Sequence, residues 1–159
     1  MTRQNTMTSL KWAGLILLLP FLVLVLIFLL LWHIARTLVL HVLLLAFWAP
    51  RGRSVLFVYS NSPNWKDYCE REILQQLPPT AVVLNWSERK KWPRRVLSTQ
   101  LYKFYAGVEE FNPLGIVFRP FKPIRIFRFW KPFLEARHGK PHKLERLKLK
   151  FLTAARGQG

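Results

Sequence analysis

From Trp12 through Ala35 the chain carries no Asp, Glu, Lys or Arg, and residues 15–31 are Leu, Ile, Val and Phe apart from Pro20. About 20 such residues in a helix match the roughly 30 Å hydrocarbon core of a bilayer, where a segment must satisfy its own backbone hydrogen bonds. A chain of 159 residues is too short to wrap such a helix in a soluble core. A cleaved leader fits poorly, because the run is long for one and Pro50 follows the one small-residue site, Ala49. The expectation is a spanning helix over 12–35.

Apolar character resumes over 37–49. A straight helix from 12 to 49 would measure about 57 Å, well beyond the bilayer core. The second half is therefore expected to lie in the interface, with Trp32 and Trp48 at headgroup level. His33, Thr37 and His41 recur every four residues beside Arg36 and form one polar stripe. A solvated stripe and a pair of metal or proton ligands are the two readings of these histidines. Pro20 either kinks the first half or breaks it into a re-entrant hairpin.

Charge is distributed unevenly. Lys and Arg number 25 against 8 acids, yet only Arg3, Lys11 and Arg36 precede residue 50, so the remainder of the chain holds 22 cations and every acid. Arg36, Arg51 and Arg53 follow the span, which by the positive-inside rule predicts a single-pass protein of the cytoplasmic membrane with its C-terminal part in the cytosol. A lone Cys69 cannot form an internal disulfide, which suits a reducing compartment.

Past Gly52 the periodicity changes. Residues 54–59 and 80–86 read as strands, and 65–77 as a helix with Asn64 as N-cap and Pro78-Pro79 as its stop. A helix over 94–105, strands over 114–118 and 124–129, and an amphipathic tail helix over 140–156 complete the pattern. Strands alternating with helices predict parallel pairing through helical crossovers. The expectation is an anchor over 1–50 and, over 51–159, a small basic Rossmann-like α/β domain, mostly parallel and about half of a doubly wound unit. At the level of fold alone this resembles the doubly wound proteins, nucleotide-sugar transferases among them.

Ligands of such sheets sit beyond the carboxyl ends of the strands. Ser60, Ser62 and Asn64 occupy the first of those loops and are candidates to hold a phosphate, although the glycines of a Walker or dinucleotide loop are missing. Capping and turn formation are the alternative for the same three residues. Glu88 falls where a ribose- or base-binding acid lies in nucleotide folds, and it equally suits a surface ion pair beside Arg89, itself an anion candidate.

The richest stretch is 119–133, where a cation returns every third residue from Arg119 through Lys122, Arg125 and Arg128 to Lys131, interleaved with Phe and Trp130. A polyproline-like start would align Arg119, Lys122 and Arg125 on one edge, whereas a strand would split Arg125 and Arg128 between faces. In the tail, Leu144, Leu147 and Phe151 share a helical face, with Lys143, Arg146 and Lys150 beside or opposite it. Cations near an anionic bilayer surface contribute roughly 1 kcal/mol each, and Trp and Phe dip into the interface. Trp32, Arg36, His41, Trp48, Arg51, Arg53 and Trp130 form the expected interfacial set.

Signals for catalysis are weak. Asp67, Glu70, Glu88, Glu109, Glu110 and Glu135 form no recognised motif, and Gly139 and Pro141 spoil the helix that would align His138 with His142 on a metal. No cofactor, metal or catalytic residue is assigned. The best-fitting function is a membrane-anchored binding or scaffold module that engages anionic lipid or an acidic protein partner. An enzyme acting on a phosphorylated, nucleotide-linked or lipid-linked substrate is the alternative. A nucleic-acid binder ranks third, since tethering and the lack of a motif both count against it.

Overall fold

The computed structural model describes residues 2–108 and 110–157, and side chains from residue 18 onward within them. Glu109, and the side chains of Arg3, Lys11 and Trp12, lie outside the described residues. The chain divides into two compact units between Val42 and Leu43.

The first unit is one helix, α1 (Thr2–Leu43), about 63 Å long at 1.5 Å per residue. It runs through Pro20 without a break, so the hairpin alternative is not adopted. Leu18–Arg51, with a mean hydropathy of 2.8, is long and apolar enough to cross a membrane, as an anchor or as a signal sequence. Its polar stripe is tied to its own backbone: the Thr37 hydroxyl donates to the His33 carbonyl at 2.9 Å, and His41 Nδ1 lies 3.0 Å from the Thr37 carbonyl.

The second unit opens with a π-helical turn, Leu44–Trp48, and a 3₁₀ turn, Ala49–Arg51. Four strands follow: β1 (Val55–Tyr59), β2 (Val82–Asn85), β3 (Leu114–Arg119) and β4 (Lys122–Arg128). Between β1 and β2 lie α2 (Lys66–Tyr68) and its π and 3₁₀ continuation to Gln76. A 3₁₀ segment (Trp86–Lys91) and α3 (Leu97–Ala106) lie between β2 and β3, and α4 (Trp130–Arg137) and α5 (His142–Ala155) follow β4. The sheet order is β2-β1-β3-β4. β1 is buried along its whole length, as a continuous apolar strand in the middle of a three-layer unit should be.

The expectation of a mostly parallel, Rossmann-like sheet is corrected. β1 pairs with β2 in parallel, but β3 runs antiparallel to β1, and β4 antiparallel to β3. The cause lies between β2 and β3. A single helical return would bring the chain back to the starting end of the sheet, yet here residues 86–96 already make that return. α3 then travels the other way: its first turn shares a hollow with Arg53 and Thr80, while its last turn receives Arg128 on the Tyr105 carbonyl. Two passes over one face leave β3 to enter from the opposite end.

Both sheet faces are covered. Phe57, Val117, Phe127 and Phe129 pack with Trp65, Cys69, Phe133 and Phe151 on one side. Leu56, Val58, Ile116 and Phe118 pack with Leu101 and Tyr102 on the other, together with Leu44 and Trp48. Trp48 is only 4% exposed, so this residue, expected at headgroup level, belongs to the protein core. The apolar run 37–49 thus does not serve one purpose: its last turn and a half closes the second face of the sheet. Asn64, expected as an N-cap, does not cap α2, whose N-cap is Trp65.

Gly115 is required by close approach. A Cβ there would lie 2.5 Å from the Phe151 ring, and that ring is held by Phe57, Phe127 and Phe129 at centroid distances of 5.6, 5.3 and 5.6 Å. Gly115→Ala is expected to destabilise the second unit by about 1–3 kcal/mol, read as an earlier denaturant midpoint of the full chain in detergent. Gly115→Ala combined with Phe151→Leu should recover part of that loss. An unchanged midpoint for Gly115→Ala would contradict the packing.

Candidate functional site: a cationic end of the sheet

The direction of β3 decides which predicted residues meet. Ser60, Ser62, Asn64, Glu88 and Arg89 lie beyond the carboxyl ends of β1 and β2, where Tyr59 and Asn85 stand in register. Arg119 ends β3 at the opposite edge, one step past the bond from Phe118 N–H to the Ser54 carbonyl, 2.8 Å. The phosphate-loop candidates and the basic cluster are therefore separated by the length of the sheet.

At the carboxyl end, the polar groups hold the loops to each other. The buried Ser60 hydroxyl accepts from the Trp65 indole at 3.1 Å, and the Ser62 hydroxyl accepts from the Asn64 backbone at 3.4 Å. Asn64 Oδ1 accepts from Arg137 at 2.8 Å. Asn85 donates to Asn61 at 2.7 Å, and Asn61 N–H donates to Ser87 at 2.9 Å. The Arg89 guanidinium lies 3.6 Å over the Trp86 ring, while the indole donates to Glu110 at 2.8 Å. Glu88 is exposed in the 3₁₀ segment. The Tyr59 phenol is pushed up by burial and by its 3.2 Å hydrogen bond to Glu70. This end carries the acids Glu70, Glu88 and Glu110 together with Arg89 and Arg137.

At the amino end of β1 the cations stand without acids among them. Arg51, Arg53, Arg119 and Lys122 gather there, and no acid occurs in 36–66, 89–108, 111–134 or 146–159. Arg119 is held at the C-terminus of α5, donating to the Ala154 carbonyl at 2.8 Å and the Gly157 carbonyl at 3.1 Å, where a cation complements the helix dipole. A β-bulge between Val117 and Arg119 ends the regular pairing just before the turn. Arg119, Lys122 and Arg125 line a pit of about 50 Å³.

From that pit a groove of about 470 Å³ runs between the edge strand β4 and α5. It is lined by Arg125, Arg146 and Lys150 around Phe127, with Leu149 and Thr153 on its outer wall. Helical spacing brings 146, 150 and 153 onto one stripe of α5, and the strand turns Arg125 toward it. Arg128 points to the other face and donates to Tyr105 at 3.2 Å. The strand alternative for 122–128 is thus the one adopted, and the polyproline alternative is not. Sequence reasoning found each cation but not the groove, because nothing local relates α5 to β4.

The β3–β4 turn is two residues, Pro120 and Phe121, since Arg119 pairs with Lys122. Phe121 has φ of 60° and is 97% exposed. A bulky side chain in this left-handed region costs about 1–2 kcal/mol, where glycine would cost little. The remaining interfacial candidates divide: Trp32 and Arg36 are exposed on α1, while Trp130 is half-buried, its ring 5.1 Å from Trp65.

Other reactive groups are occupied or enclosed. Lys148, 9% exposed, bonds Glu145 one turn earlier on α5 at 2.8 Å and Glu72 of the segment after α2 at 3.0 Å. Among the described residues, no group of three or more His, Cys, Asp or Glu could hold a metal ion.

Burial pushes the Cys69 thiol up to about 12. A group with a raised value stays protonated below it, so at pH 8 the thiolate is nearly absent. Cys69 should resist iodoacetamide at pH 8 in the folded chain and alkylate once denatured; rapid alkylation of the native protein would contradict the burial. No family model, no curated protein and no solved structure matches this chain.

Proposed function

We propose that this chain is a membrane-anchored binding module whose cationic sheet end lies against an anionic cytosolic membrane surface. In this reading α1 is a retained single-pass anchor. Arg36, Arg51 and Arg53 after the span orient it by the positive-inside rule. The observation that carries the reading is the Pro120-Phe121 turn: a fully exposed aromatic, held at a backbone conformation that disfavours it, beside Arg119 and Lys122. An apolar tip ringed by cations suits a headgroup layer, where cations meet phosphates and the ring enters the acyl boundary.

Connectivity supports the same side. Arg51 follows Val42 by nine positions, so along the chain Arg51 and Arg53 are the cations of the second unit that come first after the anchor. The groove beside β4 extends the basic surface with Arg125, Arg146 and Lys150, and Leu149 is exposed at its rim. An anionic partner protein would use the same charges, but it would not need an exposed phenylalanine at a strained turn. No catalytic step is assigned.

The reading is tested on the full chain in nanodiscs by hydrogen exchange. With phosphatidylserine present, residues 119–123 should exchange more slowly than with phosphatidylcholine alone, and high salt should remove much of the difference. Phe121→Gly should abolish that protection while leaving the unfolding midpoint equal or higher, since the backbone strain is relieved. Equal exchange in both lipids, or protection that survives Phe121→Gly, would contradict it.

A further inference from the structure

Apart from the carboxyl-end loops and the α5 groove, the described residues form a further hollow. It measures about 590 Å³ and lies at the amino ends of β1 and β2, beside the start of α3. Its walls carry Arg51, Arg53, Thr80 and Ser98. We infer that this hollow is a binding site for a phosphate ester, with Arg51 and Arg53 as counter-charges and Ser98, Thr80 and the first-turn N–H groups of α3 as hydrogen-bond donors.

Four observations converge on an anion. Arg51 is oriented by a 2.8 Å bond from one guanidinium nitrogen to the Phe47 carbonyl, which leaves its other donors to a ligand. Gly52, at φ of 64°, turns the chain between the two arginines, and the Thr80 methyl lies 3.8 Å from where a Cβ would stand. Ser98 is 5% exposed and lines the hollow, so a polar side chain stands at its inner wall. α3 has ten residues and no side-chain cap at Val96, so its first-turn N–H groups and positive dipole end are open to a ligand at the same place.

The chemistry favours phosphate over a carboxylate. Two guanidiniums give forked, charge-assisted bonds, and a tetrahedral anion with three or more acceptor oxygens can also take the hydroxyls and backbone donors on its remaining sides. The ester has two possible sources, a phospholipid headgroup or a free phosphorylated compound. This inference rests on the membrane-surface reading only for the first source, since the hollow's donors are the same for either.

The test uses the full chain and reads two regions at once by hydrogen exchange: the first-turn amides of residues 97–99 and the turn residues 119–123. The probes are inorganic phosphate in detergent, and nanodiscs of phosphatidylcholine containing either phosphatidic acid or phosphatidylserine. Slower exchange at 97–99 with phosphatidic acid, beyond that with phosphatidylserine, supports the site and assigns it to a headgroup. Slower exchange with inorganic phosphate, and none with phosphatidic acid, supports the site with a soluble source. Arg53→Gln should weaken the effective ligand by about tenfold or more, and Ser98→Ala should weaken it in the same direction, while Lys140→Gln, at an exposed position away from both surfaces, leaves it unchanged. Unchanged exchange at 97–99 with every probe, or full affinity in Arg53→Gln, overturns the site. Protection at 119–123 under phosphatidylserine reports separately on the membrane-surface reading, so either conclusion can fail without the other.

Discussion

The direction in which β3 enters the sheet governs the rest of the second unit. Because residues 86–96 and α3 make two passes over one face, β3 starts where β1 ends and finishes where β1 begins. Arg119 is thereby delivered to the neighbourhood of Arg53, and the tight turn to β4 is placed at the same end. Had β3 followed the parallel rule, Arg119 would stand beside Ser62 and Glu88, and the chain would present a mixed polar cleft at the carboxyl ends. The strand's reversal instead divides the polar groups. Acids, paired cations and hydrogen-bonded loops occupy one end, while arginines, a lysine and an exposed phenylalanine without acids among them occupy the other.

That separation has energetic meaning because the cationic end lacks internal relief. Surface ion pairs contribute little, and a positive cluster without acids raises its own repulsion. Part of the repulsion is offset inside the fold, as where Arg119 meets the carbonyls closing α5. An external anion, as proposed, would offset the rest. Lys148 illustrates the contrast: buried on α5, it pairs with Glu145 of the same helix and with Glu72 after α2, and this pairing raises its affinity for a proton despite the desolvation that opposes it. Where this fold needs a cation inside, it supplies the acids. At the sheet end it does not.

Much of this was legible in the sequence. The apolar helix, all four strands, the helical character of 65–77, 94–105 and the tail, and the buried character of β1 follow from periodicity and composition, because those signals are local, whereas α4 was not foreseen. Strand direction was not legible, since an extended segment that crosses a sheet leaves no mark different from an ordinary loop. Trp48 was misplaced for a related reason. Hydrophobicity alone cannot distinguish a residue facing lipid from one facing the underside of a sheet, and Leu44 and Trp48 do the latter. The loop residues Ser60 to Asn64 had the composition of a phosphate loop, but they form hydrogen bonds within and between the loops at that end. The hollow at Arg51, Arg53, Thr80 and Ser98 joins segments up to 47 positions apart, and no sequence motif announces it.

The central proposal is that the amino end of β1, and not the carboxyl end, faces the bilayer. It is tested most directly by placing single fluorescent labels at Lys122→Cys and Lys90→Cys, at opposite ends of the sheet, in the reconstituted full chain with Cys69 left in its buried place. Lipids carrying a headgroup quencher should quench the label at 122 strongly and the label at 90 weakly. Equal quenching, or stronger quenching at 90, would contradict the claim.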